Sequence, residues 1–591
     1  MDYPDVYQFI KGEENTWKTT YIPLTDSKEW NMYEHIQRCT NVANGWFHTG
    51  KNDGNRPYDD IVTPIVNVAF RTEGFDVKDI VPFVDDAYKN YKSFLVKKYH
   101  PKWARKQQLD TLIDEVVESS IIYDLVILKD IGGVRPEVQK LQTIAFCDQT
   151  DALAGPICFK HSYSIAELLE YKGKWKDEKI DLAILKAKQS KEAPLAKGKE
   201  AKTPGKYIEV YELHGKLPEH WLPGGGDLLK YADQLHIVCY YLDENGEEQG
   251  LTLYSGKERP ISEIFEQLKI DQVKSYGRAC GRSIVETLFE PQVWRNYSEI
   301  KIKNMLDAAV DVIVTDSDEY GNQQTSKLKP NTIVKLNKGD RFDKINTQMQ
   351  NLADFQNYGI RKENSARVIG SASDAQLGTN PVSGTPFSLQ ALVVQQGQGI
   401  HEYRQGKIAT WFADILYPKW ILGYLVKDMN NGKNFSEELS LDELQWVTKR
   451  MVENRTERKM AELIFNGKIV TSEIKQQALE FYKAEFAKMD SRGFFEIIKD
   501  ELQGIKTDVF VNIKGKQRNM AANADKLTNV IRALIANPAA FTQPGISDMV
   551  NQLFEESGMN PVSFSQLTPI QTQQTLQLSN QTNGNLSQVA A

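Results

Sequence analysis

Cysteine is scarce in this sequence, and the few cysteines present are far apart. Five occur in 591 residues, and none belongs to a CxxC pair; they are Cys39, Cys147, Cys158, Cys239 and Cys280. Disulfide frameworks and zinc clusters both rely on paired or closely spaced cysteines. We therefore expect reduced thiols, with neither a disulfide framework nor a zinc cluster.

The motifs of common enzyme classes are also missing. Residues 198–206 come nearest to a phosphate-binding GxxxxGK[ST] loop, but their spacing is wrong. There is no GxSxG, and His401-Glu402 does not continue into HExxH. The eight histidines include no i, i+4 pair, which leaves open only a metal site assembled by long-range folding. We assign no catalytic, cofactor-binding or metal-ligating residue and expect no bound cofactor.

A surplus of positive charge and long apolar runs are absent as well. The formal net charge is −7, so the surface as a whole is not built to grip nucleic acid, although it lets a duplex pass. The most apolar stretch, 408–426, contains Asp414, Pro418 and Lys419, which favours a packed helix over a membrane span. Residues 1–21 lack the apolar core of a secretory signal. We expect a soluble protein made in the cytoplasm.

The chain is too long for one hydrophobic core, and helical patterns dominate it. We predict an α+β, mainly helical fold with two to four domains. Before residue 276, helices accompany a small antiparallel sheet with strands at 207–213, 235–242 and 251–254. Residues 186–206 carry seven lysines and no aromatic residue. This composition predicts a flexible, solvated insertion, with a basic tongue touching DNA or a neighbouring subunit as the alternative.

Three further elements are predicted from local patterns. A helix is expected at 76–99, and the apolar, β-branched run at 121–128 predicts a strand. A lone late strand at 508–513 needs a partner, which we expect to be the sheet at 207–254.

Residues 277–426 contain the most regular series of elements. Gly277, Gly281 and Ser283 predict a tight turn and a helix cap, followed by a helix to 314. A break at 316–322 and a short strand at 332–336 precede a second helix at 344–369. A polar loop at 371–387 then leads to a helix at 388–426. Three glycines in this last helix predict a bend or a close approach, because each costs roughly 1 kcal/mol in a helix interior; they are Gly397, Gly399 and Gly406.

This order of elements, with Gly281-Arg282-Ser283 turning into a long helix, resembles the portal (head-to-tail connector) proteins of tailed double-stranded DNA bacteriophages, particularly the short-tailed type. The resemblance covers most of the chain. It implies a division into a wing at 1–276, a first stem helix at 277–314, a clip at 315–343, a second stem helix at 344–370, a tunnel loop at 371–387, a long kinked helix with a C-terminal wing at 388–536, and a crown and tail at 537–591.

A structural role, not catalysis, is what the resemblance implies. Copies of the chain, twelve in the family, would form a ring at one capsid vertex, and viral DNA would pass through its channel during packaging and ejection. The implied partners are other copies of the chain, double-stranded DNA in transit, the terminase, tail adaptor proteins and the major capsid protein, with no membrane. The ring would assemble in the host cytoplasm and reside in the virion. Two rival classes stay open, a cytosolic multidomain enzyme with a site assembled from scattered residues and another structural protein of the virion.

The resemblance also indicates which side chains would meet partners. Loop residues that would face DNA are Ser371, Ser373, Asp374, Gln376, Thr379, Asn380, Ser383 and Thr385, with a plain surface loop as the alternative. Clip residues that would face partners are Asp316, Asp318, Glu319, Tyr320, Lys327 and Lys329. A later aromatic cluster has base stacking as an alternative role, but its helical spacing favours burial; it comprises Trp411, Phe412, Tyr417, Trp420 and Tyr424.

Overall fold

A computed structural model describes residues 4–46, 58–84, 90–189, 207–227, 229–242, 248–271, 277–308, 312–315, 342–345, 352–372, 377, 399–430, 441–488, 507–511 and 532. The chain divides into two compact units. The first comprises Met1–Gly74, Asp114–Asp130 and Glu137–Gln405, and the second comprises Phe75–Ile113, Ile131–Pro136 and Gly406–Ala591. Helices predominate and several small sheets accompany them, which confirms the α+β, mainly helical class.

Helices and strands are numbered here in chain order. The helices are α1 (Pro4–Thr19), α2 (Met32–Ala43), α3 (Val62–Glu73), α4 (Asn90–Lys106), α5 (Leu109–Tyr123), α6 (Ile165–Glu170), α7 (Asp177–Gln189), α8 (Ile261–Ile264), α9 (Ile284–Ala308), α10 (Leu352–Ile369), α11 (Gly399–Trp411), α12 (Leu422–Asn430), α13 (Leu441–Phe465) and α14 (Ser472–Lys488). The strands are β1 (Ile22–Thr25), β2 (Lys28–Trp30), β3 (Ile80–Val84), β4 (Val126–Lys129), β5 (Glu137–Val138), β6 (Ile144–Phe146), β7 (Ile157–Ser164), β8 (Tyr207–Pro218), β9 (Tyr231–Leu242), β10 (Glu248–Lys257), β11 (Phe265–Leu268), β12 (Val312–Thr315), β13 (Phe342–Ile345) and β14 (Thr507–Val511).

The largest sheet lies in the first unit and is antiparallel, in the order β10-β9-β8-β7-β6. Side chains two positions apart point to the same face of a strand. On β8 and β10 these pairs are Ile208 with Val210 and Leu251 with Leu253, and all four are buried in one core cluster. Leu168 of α6 and Ile180 of α7 pack into the same cluster. The three strands predicted around this core are confirmed, and each is longer than predicted.

Helix α6 begins with a reciprocal cap. The Glu167 amide donates to Ser164 Oγ, and the Ser164 amide donates to Glu167 Oε2. Two of the N–H groups that a helix start leaves without partners are satisfied in this way. The helix α7 that follows continues to Gln189, so the first four residues of the predicted insertion at 186–206 are helical instead. Residues 190–206 lie outside the described part of the chain.

The strand predicted at 121–128 is only partly correct. Residues Ile121 to Tyr123 complete α5, whose apolar side chains Leu112, Ile113, Val116 and Val117 are buried at helical spacing. A short β-branched run cannot be distinguished by pattern from the end of a buried helix. The strand β4 starts at Val126 and pairs with both β11 and β5.

In the second unit, two predictions are wrong. Part of the helix expected at 76–99 is the strand β3, which contains Pro82, a residue that helix interiors exclude. A single 3-10 turn at Val77–Asp79, capped by Asp76, precedes it. Within this unit β14 pairs antiparallel with β3, from Thr507 opposite Val84 to Val511 opposite Ile80. The sheet at 207–254 is therefore not the partner of the late strand.

Between α11 and α12 the chain forms a π-helical segment, Phe412–Ile421, that contains Pro418. Trp411, Phe412, Tyr417 and Trp420 are all buried, which confirms the burial predicted for this cluster. The Phe412 ring meets Phe75 edge-on at 5.5 Å, and the Tyr417 hydroxyl lies 3.0 Å from His100 Nε2. Searched over the described residues, no helix combines the length and sustained hydropathy that a bilayer crossing requires.

Candidate functional site

Helices α9 and α10 pack against each other in the first unit. Trp294 of α9 meets Tyr358 of α10 edge-on, with ring centroids 6.2 Å apart. Gly359 lies under Arg295, so that a Cβ at this position would fall 2.4 Å from the guanidinium Nη1. Glycine therefore allows the backbone of α10 to approach α9 closely.

A two-stranded antiparallel ribbon connects these helices. Val312 of β12 is opposite Ile345 of β13, and Thr315 is opposite Phe342. The chain leaves along α9, passes through β12, returns through β13 and re-enters along α10. Residues 316–341 are bracketed by the ribbon and lie outside the described residues, as do the strand predicted at 332–336 and the clip residues Asp316, Asp318, Glu319, Tyr320, Lys327 and Lys329.

The ribbon corrects the predicted bounds of both helices. The first was expected to reach residue 314 but ends at Ala308, because the β-branched residues 312–315 pair as a strand. The second was expected to begin at 344 but begins at Leu352, because 342–345 pair with β12. Helix propensity at Ala308 and Ala309 gave no warning of this change.

The turn before α9 is held by a buried arginine. Arg278 donates from Nε to the Cys280 carbonyl at 3.1 Å, and from Nη2 to the Gly281 carbonyl at 2.8 Å. Its guanidinium also forms a two-pronged ion pair with Glu286 in the first turn of α9. Burial alone would raise the pKa of Glu286, but Arg278 holds it below its usual value. Ser283 accepts from the Glu286 amide at 2.9 Å, which confirms it as the predicted cap.

A second buried arginine, Arg404 of α11, joins three distant parts of the first unit. Its Nε lies 3.1 Å from both carboxylate oxygens of Glu73, the last residue of α3. Nη1 donates to Asp124 Oδ1 at 2.8 Å, and Nη2 donates to the Ser120 carbonyl at 2.8 Å. All three charged side chains are at most 5% exposed. One guanidinium therefore fixes the ends of two helices against a third.

His401, one turn before Arg404, extends this arrangement to the end of α10. Its Nδ1 lies 2.9 Å from Glu73 Oε1, and its Nε2 lies 3.1 Å from the carbonyl oxygen of Gly370. A Cβ on Gly370 would fall 2.2 Å from Ile65 Cγ2, so that only glycine fits at this approach. We refer to Glu73, Asp124, His401 and Arg404 as the Arg404 network.

Asp124 links the Arg404 network to the turn before α9. Its Oδ2 accepts from the Asp271 amide at 2.9 Å, and its carbonyl accepts from the Gly281 amide at 3.3 Å. A Cβ at Gly281 would overlap Asp124 Oδ2, at 1.6 Å. Burial raises the pKa of Asp124 to about 6, even though Arg404 acts to lower it. Glycine at 281 is therefore required by a neighbouring side chain as well as by the turn.

The start of the polar loop is fixed by backbone bonds. The Ser371 amide donates to the Val368 carbonyl at 3.2 Å, and the Ala372 amide donates to the Arg367 carbonyl at 3.0 Å. Ser371 has a φ of 51°, the left-handed conformation that commonly ends a helix. Of the loop residues predicted to face DNA, Ser371 is described, and the others lie outside the described residues: Ser373, Asp374, Gln376, Thr379, Asn380, Ser383 and Thr385.

The glycines predicted to mark a close approach do not do so where they are described. Gly399 is the first residue of α11 and Gly406 lies inside it, and a Cβ at either position would meet no atom within 4 Å. Gly397 lies outside the described residues. The irregular part of this region is the π-helical segment with Pro418, and both features are established causes of helix kinks.

A cavity of about 700 Å³ opens between the start of α9, the end of α10 and the start of α11. Its lining includes apolar Ile284, Ile369 and Ile400, together with the cationic side chains Arg282 and Lys362. Its volume lies in the range of small-molecule sites. Within the described part of the chain, no group of three or more His, Cys, Asp or Glu side chains is arranged to hold a metal ion.

A second buried charge network surrounds Glu212 of β8, also in the first unit. Glu212 receives Lys129 Nζ at 2.6 Å and lies 3.0 Å from His161 Nε2. His214 Nε2 lies 3.2 Å from Glu212, and its Nδ1 lies 2.7 Å from Glu258. Burial alone would lower the pKa of His214, yet the two carboxylates raise it. These five residues are referred to as the Glu212 network.

Neither network was found by sequence reasoning. The members of the Arg404 network lie up to 331 positions apart, so their contacts leave no local pattern. One available signal was the i, i+3 placement of His401 and Arg404, which puts both on one helix face. No protein-family model matches the chain, and no curated protein matches it either.

Proposed function

We propose that the chain is the subunit of a phage portal ring, located at one capsid vertex of the virion. The observation that supports this most directly is the series formed by the Arg278 turn, α9, the ribbon, α10, the loop anchored at Gly370 and α11. In the portal family, a stem helix, a clip, a second stem helix and a tunnel loop follow one another in this order. The family sets the expected number of copies at twelve.

The proposed assignment gives each part a task. Helices α9 and α10 form the stem, and residues 316–341 form a clip that meets the terminase during packaging and tail adaptor proteins afterwards. The loop 371–387 lines the narrowest part of the channel, and the wing meets the major capsid protein. Because the loop carries Asp374 as its single charge, it touches phosphates without holding them.

Electron microscopy of the purified full chain tests this proposal. Rings with a central hole are expected, and particles that stay monomeric over a range of protein concentrations would overturn it. Such monomers would favour the rival class, a multidomain enzyme.

The ribbon allows a well-defined test of the clip. Thr315 and Phe342 are directly opposite in the register, so an Asn-Gly turn can replace residues 316–341 and close a two-residue hairpin. The variant should fold and still contain the stem, but it should no longer associate with the terminase. Normal DNA packaging by this variant would show that 316–341 is not the docking element.

The loop is tested by changing its charge. Gln376→Lys with Asn380→Lys adds a basic collar, and we expect rings that package or release DNA slowly, with the defect relieved by added salt. Gln376→Ala with Asn380→Ala is the matched control and should be milder. Packaging at the wild-type rate by the lysine variant, once assembled, would show that the loop does not face DNA.

A further inference from the structure

Three aromatic rings meet on the exposed side of the α9–α10 pair. Trp294 contacts Tyr297 of the same helix and Tyr358 of α10, with centroid distances of 5.8 Å and 6.2 Å and nearly perpendicular planes. Trp294 is 40% exposed and Tyr297 is 45% exposed. A contiguous aromatic surface of this kind usually marks a place where something binds.

Two lysine ammonium groups lie over these rings. Lys362 Nζ lies 5.9 Å from the Trp294 centroid and 5.5 Å from the Tyr358 centroid, and Lys301 Nζ lies 5.3 Å from the Tyr297 centroid. Cation–π attraction of this kind contributes about 0.5–1 kcal/mol at exposed sites. Two side chains that are otherwise flexible are thus held at defined positions on the surface. We refer to Trp294, Tyr297, Lys301, Tyr358 and Lys362 as the aromatic–lysine patch.

The positive charge of this patch is not neutralised by the carboxylates near it. Glu299 pairs with Arg295 at 3.2 Å, and Glu363 pairs with Arg367 at 2.6 Å. Among the described residues, Lys301 and Lys362 have no carboxylate within ion-pair distance. On α13, by contrast, Lys459 pairs with Glu462 at 2.9 Å. The patch is therefore a local source of positive charge on a chain whose net charge is −7.

We infer that the aromatic–lysine patch contacts the phosphodiester backbone of duplex DNA. This inference rests on the proposed function, which brings a duplex past the stem helices. Lys301 lies two helical turns from Trp294, so the two cations are separated by roughly 10 Å along α9. Bases are stacked inside a duplex, so the rings act by positioning the ammonium groups, not by stacking on bases. Two cations per subunit give weak contacts, which suit DNA in transit.

Fluorescence anisotropy with a labelled duplex and the purified full chain tests the inference. Binding is measured from about 50 to 200 mM salt, where phosphate contacts dominate affinity. Lys301→Gln and Lys362→Gln should each reduce the slope of log affinity against log salt by about 1, and the double variant by about 2. Lys362→Arg should keep the wild-type slope. Trp294→Leu should weaken binding about two- to fivefold with the slope unchanged, since the charge remains but is no longer held.

Lys475→Gln, on the exposed helix α14, is the matched control and should leave both affinity and slope unchanged. Equal effects at Lys475 and Lys362, or a wild-type slope in the double variant, would overturn the inference. It would also be overturned if the lysine variants bound DNA normally but lost association with the terminase, because the patch would then serve a protein. Rings seen by electron microscopy with no slope change would leave the portal proposal standing. A slope change without rings would support the patch and not the portal.

Discussion

Asp124 and Glu212 are both buried carboxylates in contact with cations, yet their pKa values move in opposite directions. Burial raises the pKa of Asp124 to about 6, although Arg404 lies 2.8 Å away. Burial acts on Glu212 as well, but His161, His214 and Lys129 hold its pKa well below the usual value. The difference lies in the ratio of charges. Asp124 shares a single arginine with Glu73, whereas Glu212 alone faces three cationic or protonatable groups.

This comparison shows which network depends on its cation most. A buried ion pair adds little net stability when intact, but removing one partner leaves an uncompensated charge in a medium that solvates it poorly. The Arg404 network has two carboxylates and one permanent cation. The Glu212 network distributes its balance over several groups, so that the loss of one is less damaging.

The largest effect is expected from Arg404→Met, which leaves Glu73 and Asp124 buried together. The free energy of unfolding should fall by about 3–5 kcal/mol, measured by chemical denaturation. Lys459→Met removes an exposed ion pair on α13 and should change stability little. If the two variants were equally stable, the Arg404 network would not hold the first unit together.

His214→Gln should cost less, about 1.5–3 kcal/mol, the range for hydrogen bonds to charged groups. The pKa of His214 is raised in the folded protein, so its contribution is complete below the unfolded value of 6.5 and is lost as pH rises through the folded value. The cost of this substitution should therefore be greatest near pH 6 and decline at alkaline pH.

His236→Gln is the matched control on the same sheet. Burial lowers the pKa of His236 to about 4, so the folded protein favours the neutral ring and its contribution is present above pH 6.5. The cost of His236→Gln should grow as pH rises. Parallel pH profiles for the two histidine variants would contradict the assigned role of the carboxylates around His214.

Gly281→Ala tests the contact between the turn and the Arg404 network. The new methyl group would overlap Asp124 Oδ2, and overpacking of this kind costs about 1–3 kcal/mol. Gly12→Ala in α1 is the control, because a Cβ there meets no atom within 4 Å. Alanine in a helix interior is favoured over glycine, so this control should be neutral or slightly stabilising. A Gly281→Ala protein as stable as the control would show that Asp124 can move aside.

The smallest effect sharpens the comparison through pH alone. Because the pKa of Asp124 rises from 3.8 to about 6 on folding, the stability that it contributes is lost between about pH 4 and pH 6. Relative to wild type, Asp124→Asn should be least stable at pH 4 and should recover by pH 7. Denaturation midpoints at several pH values measure this trend, and a constant difference would show that Asp124 does not titrate there.

The elements that the sequence predicted are those encoded by local patterns. Alternation identified β8, β9 and β10, Ser283 was recognised as a cap, and helical spacing placed Trp411 and Phe412 in the interior. The Arg404 network depends on contacts between residues hundreds of positions apart, which no local pattern records. The ends of α9 and α10 were misplaced for a related reason. Residues 312–315 form a strand because of their pairing with 342–345, and propensity near Ala308 favoured helix.

The pairing of β3 with β14 has a consequence for synthesis on the ribosome. β3 emerges early, and its partner follows roughly 420 residues later, which at 5–20 residues per second is a delay of about 20–80 s. During that interval Ile80–Val84 presents a strand edge with no partner of its own, the kind of edge that recruits other chains. Nascent chains arrested shortly before residue 507 should therefore be more prone to aggregate than chains arrested once Val511 has cleared the exit tunnel.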